Sequence, residues 1–189
     1  NHSIEREDFM ATTASIEQVQ RAYIAYYNRP GDPEGVEFWA SRLDGGESLS
    51  NIIDAFASSD EAESLYSGVE TADLIVAVYN QAFGRTPDDA GRDYWAGRID
   101  SGELSPGEAL LTIVEGATGN DLSIIVDKVD FSIQVTNTFV NDSAYNAVDL
   151  VVLSNTMQAI DGTDTALEVA LGAYGISVSL EPNGIVGSW

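Results

Sequence analysis

The chain has 189 residues, of which 44% are hydrophobic, so it can bury a core as one compact domain or two small ones. Its formal charge of −23, from 31 acidic and eight basic residues, argues against nucleic acids as partners, and no apolar run is long enough for membrane insertion. Cysteine is absent and His2 is the only histidine, which excludes disulfides and thiolate sites and argues against a histidine-based zinc site or triad.

The first nine residues, NHSIEREDF, carry four charged side chains and are interpreted as a leader in front of the domain. Met10 begins a stretch typical of a natural start, with Ser15 as the predicted N-cap of a first helix. No basic segment followed by an apolar one opens the chain, so we expect any export to use a signal outside this fragment or one at the C-terminus. The closing letters, GIVGSW, favour a chain that was cut from a longer protein.

One pattern occurs twice along the chain, at an offset of 56 residues. The first copy reads YNRPGDPEGVEFW over residues 27–39, and the second reads FGRTPDDAGRDYW over residues 83–95. We therefore predict two repeats, at about 15–66 and 70–118, within a helical module that spans roughly 10–118. We expect the two repeats to bury their apolar faces on each other. The matched pairs are Arg29 with Arg85, Asp32 with Asp88, Gly35 with Gly91, Phe38 with Tyr94 and Trp39 with Trp95.

Each repeat is predicted to contain three helices in the same order. Apolar residues at helical spacing predict the first helix, a turn rich in Asp and Pro starts the second, and a glycine closes it before a serine caps the third. The first repeat adds a short acidic helix within SSDEAESLY. The first helices are predicted at about 15–28 and 70–83 and the second at about 33–43 and 87–100, with Ser15, Asp32, Ser50, Thr71, Thr86 and Ser105 as caps.

The repeated arginine and tryptophan have two interpretations. In the first, Arg29 and Arg85 fork onto carboxylates or carbonyls of the adjacent turn, and Trp39 and Trp95 fill the space between helices. In the second, the tryptophans and neighbouring acids form a ledge for a carbohydrate or another ligand. The glycine early in each second helix lowers helix stability by about 1 kcal/mol relative to alanine, and this cost is tolerable where another backbone passes close by.

Residues 119–189 differ from the repeats and are predicted to form a C-terminal helical extension with a tail. The stretch NDLSIIVDKVDFSIQVTNTFV fits both a helix face and a strand alternation, and its length favours a helix. Two further helices are predicted at residues 144–160 and 163–175, with Thr163 or Asp164 as a cap. The tail GISVSLEPNGIVGSW has strand character. The predicted fold class is therefore all-α, a compact multi-helix domain of two similar repeats plus this extension, with room for a short terminal strand.

Motifs that carry catalysis are sparse. No phosphate-binding glycine loop, P-loop lysine or HExxH zinc motif is present. Asp88 with Asp89, or Asp32 with Glu34, have the chemistry of a glycosidase pair. Acids at helix starts explain these carboxylates more simply, and we predict that the chain is not an enzyme.

The letters DGTD at residues 161–164 resemble half of a calcium-binding turn, which makes Asp161 and Asp164 the candidate calcium ligands. The alternative is a loop followed by a helix cap, because the other acidic positions of an EF-hand loop are missing. Calcium is the one cofactor for which the sequence offers a candidate.

The repeated pattern, Arg-x-Pro-Asp-x-x-Gly-x-x-aromatic-Trp followed by Leu/Ile-x-x-Gly, resembles the bacterial domain of unknown function 4214 family. The second copy, FGRTPDDAGRDYWAGRIDSGELS, is similar to the family signature throughout, and the first departs from it with Asn before the arginine and Gly-Asp-Pro in the turn. The resemblance covers about residues 15–118. It implies a module of secreted or surface proteins, including S-layer proteins, RTX-type proteins and adhesins exported by type I secretion, and it implies no catalytic residue.

The resemblance therefore implies an extracellular or cell-surface location in bacteria, often near calcium-binding repeats. The implied role is non-catalytic: anchoring to cell-surface polysaccharide, or self-assembly with neighbouring copies. A sugar- or small-ligand-binding domain that uses the aromatic pairs is the first alternative, and a carboxylate-based glycan-acting enzyme is the second. The candidate ligand-binding residues are Trp39, Trp95, Phe38, Tyr94, Arg29 and Arg85.

Overall fold

The chain folds as an all-α protein, as its sequence predicts. The computed structural model describes residues 11–139, 141–146, 148–177, 180–181 and 184–185, so the interpreted leader at residues 1–9 lies outside the described residues. The helices are α1 (Thr13–Tyr27), α2 (Pro33–Asp44), α3 (Leu49–Ala57), α4 (Asp60–Tyr66), α5 (Thr71–Phe83), α6 (Asp89–Asp100), α7 (Pro106–Glu115), α8 (Gly119–Thr138), α9 (Asp142–Asn146), α10 (Leu150–Gln158) and α11 (Asp164–Gly172), followed by the strands β1 (Leu180–Glu181) and β2 (Gly184–Ile185).

The two sequence repeats fold as similar groups of helices. The pairs α1–α2 and α5–α6 are equivalent helix hairpins, and α3 and α7 are the equivalent third helices. The first helices, α1 and α5, pack against each other, and α7 packs on both α1 and α3. The repeats therefore bury their apolar faces on each other, which confirms the prediction from the offset of the sequence pattern.

Two hydrophobic clusters form the core. The first belongs mainly to repeat one and includes Tyr23, Ile52 and Phe56, with Leu111 of α7 joining it from repeat two. The second joins repeat two to α8, α10 and α11 and includes the fully buried Phe131. Because α8 packs on α1, α5 and α11, the C-terminal extension shares its core with the second repeat and closes over both first helices.

A hydroxyl at the start of each repeat ties its first helix to the end of its second helix. Ser15 donates to the Asp44 carboxylate (2.5 Å), and Thr71 donates to Asp100 (2.7 Å) at the equivalent positions. The prediction that these two hydroxyls cap their helices is therefore wrong: Thr12 caps α1, and α5 has no side-chain cap. The hairpin brings a carboxylate to each hydroxyl, and an ionised acceptor makes the stronger hydrogen bond.

The remaining helix caps follow the sequence signals, with small shifts. Asp88 rather than Thr86 caps α6, because its carboxylate reaches the N–H of Gly91 three residues on (2.6 Å). Ser48 rather than Ser50 caps α3. The predicted caps that the structure confirms are Asp32, Ser105 and Thr163, and Ser105 forms a capping box with Glu108.

The nearest neighbour of the glycine in the first turn of each second helix is a side chain rather than another backbone. A Cβ atom on Gly91 would lie 2.9 Å from the Asp88 carboxylate. A Cβ atom on Gly35 would meet the Asp32 carboxylate and the Tyr23 hydroxyl more closely still. Glycine at this position therefore leaves room for the capping carboxylate.

The C-terminal extension is helical, with one division that the sequence pattern did not show. The stretch that fits both helix and strand forms the 20-residue helix α8. The single helix predicted at residues 144–160 is wrong, because it is divided into α9 and α10, and Asp149 caps α10 by accepting from the N–H of Val151 (2.9 Å). The strand character of the tail appears as the antiparallel pair β1–β2, with Leu180 opposite Ile185.

None of the described helices is by itself long and apolar enough to cross a bilayer, whereas α7 and α8 pass that test only as a pair bent by 104°.

Candidate functional site

On the surface of α2, an exposed aromatic ring stands beside an arginine. Phe38 is 51% exposed and packs edge-on against Trp39, with 4.8 Å between the ring centroids. The guanidinium of Arg42 lies 5.1 Å from the centre of the Phe38 ring and 5.8 Å from that of Trp39, and it also pairs with Glu47. The exposed ring is therefore held from two sides by neighbours on its own helix.

The same arrangement is built again on α6. Tyr94 is 57% exposed and packs edge-on against Trp95, at 5.1 Å between centroids. The guanidinium of Arg98 lies 5.5 Å from the Tyr94 ring and donates to the Tyr94 hydroxyl (3.1 Å) and the Glu103 carboxylate (2.9 Å). We call these two groups the aromatic–arginine units: Phe38, Trp39 and Arg42 in the first, and Tyr94, Trp95 and Arg98 in the second.

The two units lie on helices with different neighbours. The helix α2 packs mainly on α1 and α9, whereas α6 packs mainly on α5 and α7. The units are thus two separate sites of similar chemistry, rather than two halves of one cleft.

The tryptophans support the exposed rings from below. Trp39 is half-buried against the first core cluster, where it approaches Phe56 at 6.2 Å, and Trp95 is half-buried against the second cluster. Their placement agrees with the interpretation that they fill space between helices. The sequence reasoning missed the arginine of each unit, although its position four residues after the exposed ring places it on the same helix face.

Arg29 is engaged inside the protein. Its side chain is 9% exposed and forms a bidentate pair with Glu61 of α4, with both N–O distances 2.7 Å. It also donates to the Pro30 carbonyl (2.9 Å) and the Tyr145 hydroxyl (3.2 Å), and three tyrosine rings surround it at 5.2, 5.3 and 5.8 Å. Burial is the largest single effect and lowers the pKa of Arg29, but the hydrogen bonds and charge interactions with Glu61 and Tyr145 together outweigh it, so the pKa of Arg29 is raised.

Arg85 has the same role in an exposed setting. It donates to the Thr86 carbonyl (3.2 Å), forms a bidentate pair with Asp121 of α8 (3.1 and 2.6 Å), and lies 5.0 Å from the Tyr79 ring. Both arginines thus donate to a carbonyl of the adjacent turn, as predicted, but the carboxylate that each one holds in a bidentate pair lies on α4 or α8 rather than in the turn. The rings beside these two arginines are buried or half-buried, whereas the arginine of each aromatic–arginine unit lies beside an exposed ring. We therefore place Arg29 and Arg85 outside the candidate binding site and keep the aromatic–arginine units.

The acids considered as a glycosidase pair stand at helix starts and make local contacts there. Asp32 accepts from the N–H of Gly35 (3.0 Å), and Asp88 caps α6 in the same way. Asp89 pairs with Arg92 at 3.0 Å. These contacts are the ones expected of helix-capping acids.

The candidate calcium ligands lie on the surface at the start of α11. Asp161 accepts from the hydroxyl (2.6 Å) and the backbone N–H (3.1 Å) of Thr163, and these bonds lower the pKa of the Asp161 carboxyl. Thr163 in turn caps α11, whose first residue is Asp164. Within the part of the chain that the structure describes, no three His, Cys, Asp or Glu side chains are grouped so that they could hold a metal ion.

The Asp127 carboxyl is subject to the charges of Asp161 and Asp164, and its pKa leads to a testable prediction about stability. Burial, followed by the charges of Asp130, Asp164 and Asp161, raises the pKa of Asp127 to about 6. Its contribution to stability is therefore fully present below about pH 4 and is lost as the pH rises through 6. We expect Asp127→Asn to raise the free energy of unfolding by up to about 1 kcal/mol at pH 7.5 and by little at pH 4, as measured by urea denaturation. An equal gain at both pH values, or the same gain in the surface control Glu168→Gln, would contradict this expectation.

Comparison with known proteins places the repeats in a family. The family model described as Domain of unknown function (DUF4214) matches the chain twice, over residues 4–66 and 56–118. Searches of curated proteins and of solved structures found no match. The two matched ranges cover more than half of the chain, follow the two helical repeats and overlap at α4. The chain therefore belongs to the DUF4214 family.

Proposed function

We propose that this chain is a non-catalytic module of a bacterial extracellular or cell-surface protein, of the S-layer or RTX type, and that it binds cell-surface polysaccharide through its two aromatic–arginine units. The observation that supports the proposal is repetition. An exposed ring, a supporting tryptophan and an arginine lie at equivalent positions of α2 and α6. In each unit the tryptophan packs on the hydrophobic core, whereas the neighbouring ring is left exposed to solvent. An exposed ring beside a guanidinium at each of these two places suits contact with a partner outside the chain.

The chemistry of the units suits a sugar. A pyranose ring has a face of C–H groups, which packs on an aromatic ring, and a rim of hydroxyl groups, which accept hydrogen bonds. The exposed faces of Phe38 and Tyr94 supply the first contact, and the guanidinium beside each ring supplies the second from donors that its glutamate partner leaves over. Because each ring is already held in place, binding costs little ordering of side chains.

The net charge defines which polysaccharides suit the chain. A charge of −23 does not oppose a neutral polymer, whereas an acidic polymer is repelled unless a divalent cation screens or bridges the charges. Calcium enters the proposal in this way, as an ion between two acidic surfaces rather than as a ligand of a built site. Two separate units on one chain also allow a long polymer to be held at two points, which raises its apparent affinity.

The test is binding to extracted surface polysaccharide at fixed ionic strength, with and without calcium. We expect Phe38→Ala and Tyr94→Ala each to weaken binding about 10-fold, and the double variant to weaken it about 100-fold, because removal of either ring also removes the two-point attachment. The matched controls are Leu65→Ala and Val169→Ala, which remove exposed apolar side chains elsewhere and should leave binding unchanged.

Two results would overturn the proposal. One is the absence of binding to every polysaccharide under all conditions. The other is a wild-type chain that associates with itself in sedimentation velocity while the double variant does not, which would assign the units to assembly between copies.

A further inference from the structure

A cleft of about 410 Å³ opens where the two repeats meet. It is lined by residues of α1, α3, α4, α5 and α7, and by none of the aromatic–arginine units. Its apolar wall includes Leu74 and Leu110, together with the side chains of Tyr26 and Tyr66. A cavity of this size, mostly apolar with a few polar groups, has the proportions of a small-molecule site.

The charges that line the cleft have one sign. Asp54 and Glu63 contribute two carboxylates, and no lysine or arginine is among the lining residues. The N-terminus of α7 also opens here, where the capping box engages the N–H groups of Ser105 and Glu108 and places the Glu108 carboxylate at the helix start. The cleft therefore repels an anion and attracts a cation.

One polar group of the cleft wall is left without a partner. Tyr26 is 3% exposed, and its hydroxyl makes no hydrogen bond to any residue that the structure describes. The hydroxyl reaches α7 at Gly107, which itself lines the cleft, and a side chain at that glycine would collide with it. A buried hydroxyl without a partner costs stability, and a ligand that enters beside Gly107 can supply the missing hydrogen bond.

We propose that this cleft binds a small organic cation with an apolar body, that is, a protonated amine on a hydrocarbon or aromatic frame. The apolar body lies against the leucine and tyrosine side chains of the wall. The ammonium group is drawn to the carboxylates of Asp54 and Glu63 and donates a hydrogen bond to the Tyr26 hydroxyl. A quaternary ammonium, which has no N–H to donate, fits this set of acceptors less well.

The first experiment varies the charge of a single molecular frame. Phenethylammonium, the neutral 2-phenylethanol and the anionic phenylacetate are titrated into the full chain at physiological ionic strength, with amide chemical shifts as the readout. We expect saturable one-to-one binding of the cation, binding of the alcohol at least about 5-fold weaker, and no binding of the anion. Equal binding of the anion would overturn the proposal.

The second experiment separates the cleft from the general attraction that an acidic surface has for cations. Ala57 is exposed at the rim of the cleft, so Ala57→Trp should fill it and weaken binding at least about 10-fold without disturbing the core. The matched control is Ala55→Trp, an exposed position on the same helix that does not line the cleft. Unchanged binding of phenethylammonium to Ala57→Trp, or non-saturable binding to all variants, would overturn the proposal.

The third experiment addresses the polar groups. Asp54→Asn combined with Glu63→Gln should weaken binding of phenethylammonium about 5-fold, whereas Glu168→Gln on α11 should not. Tyr26→Phe should weaken binding about 5-fold while leaving the melting temperature unchanged or raised, because the hydroxyl has no partner in the unliganded protein. Undiminished affinity of both Tyr26→Phe and the double carboxylate variant would overturn the proposal.

Discussion

Replacing Arg29 with methionine is expected to lower the free energy of unfolding by about 3 kcal/mol, because it removes the bidentate pair with Glu61 together with the buried hydrogen bonds to the Pro30 carbonyl and the Tyr145 hydroxyl. The equivalent change, Arg85→Met, is expected to cost less than about 1 kcal/mol. The two arginines make the same kinds of contact, but their side chains are 9% and 49% exposed, and water screens and replaces the contacts of the second. Urea denaturation measures both values, provided that the slopes with denaturant remain equal.

A double variant separates the loss of the ion pair from other effects of the substitution. If the cost comes from an uncompensated carboxylate, Arg29→Met combined with Glu61→Gln should recover a substantial part of the lost stability. Equal destabilisation by Arg29→Met and Arg85→Met would show that burial of the first arginine does not matter in solution.

The second large effect concerns Lys128, the only lysine of the chain. It is fully buried on α8 and donates a hydrogen bond to the Gln81 carbonyl in the last turn of α5, where helix carbonyls have no partner of their own. Burial lowers the pKa of Lys128 to about 8 from the ordinary value of 10.5. The folded chain thus holds this proton less firmly than the unfolded chain does.

The sign of the pH dependence follows from this difference. Between the two pKa values the unfolded chain binds more protons, so the stability of the fold rises with pH. We expect the free energy of unfolding of the wild-type chain to increase by about 1 kcal/mol between pH 7 and pH 9, and Lys128→Met to lose this increase. The interval ends at pH 9 because burial raises the pKa of several tyrosines, which reverses the trend at higher pH.

The control for the lysine is Arg92→Met, which removes a surface charge and should keep the wild-type pH dependence. A Lys128→Met variant that still gains stability between pH 7 and pH 9 would show that another group carries the proton. The absence of any gain in the wild-type chain would show that the ammonium of Lys128 is better solvated than its burial indicates.

Much of the helical architecture could be predicted from local sequence patterns. The 56-residue offset, the Asp-Pro turns and the glycine stops are local signals, and they were enough to predict two helical repeats of the right order. The aromatic positions of the aromatic–arginine units were likewise visible, because an aromatic pair after each turn repeats in the sequence. Errors at helix starts, as with Ser15 and Thr71, arose where a hydroxyl bonds to a distant carboxylate instead of to its own helix.

The rest depends on contacts between residues far apart in the chain. Arg29 meets Glu61 32 residues later and Arg85 meets Asp121 36 residues later, so the repeat offset does not lead from one carboxylate to the other. The cleft between the repeats and the burial of Lys128 likewise exist only once helices from both repeats and the extension are packed together. Backbone propensity and turn chemistry act over a few residues and can be read from letters, whereas burial and charge pairing are properties of the assembled surfaces, and only the tertiary structure decides them.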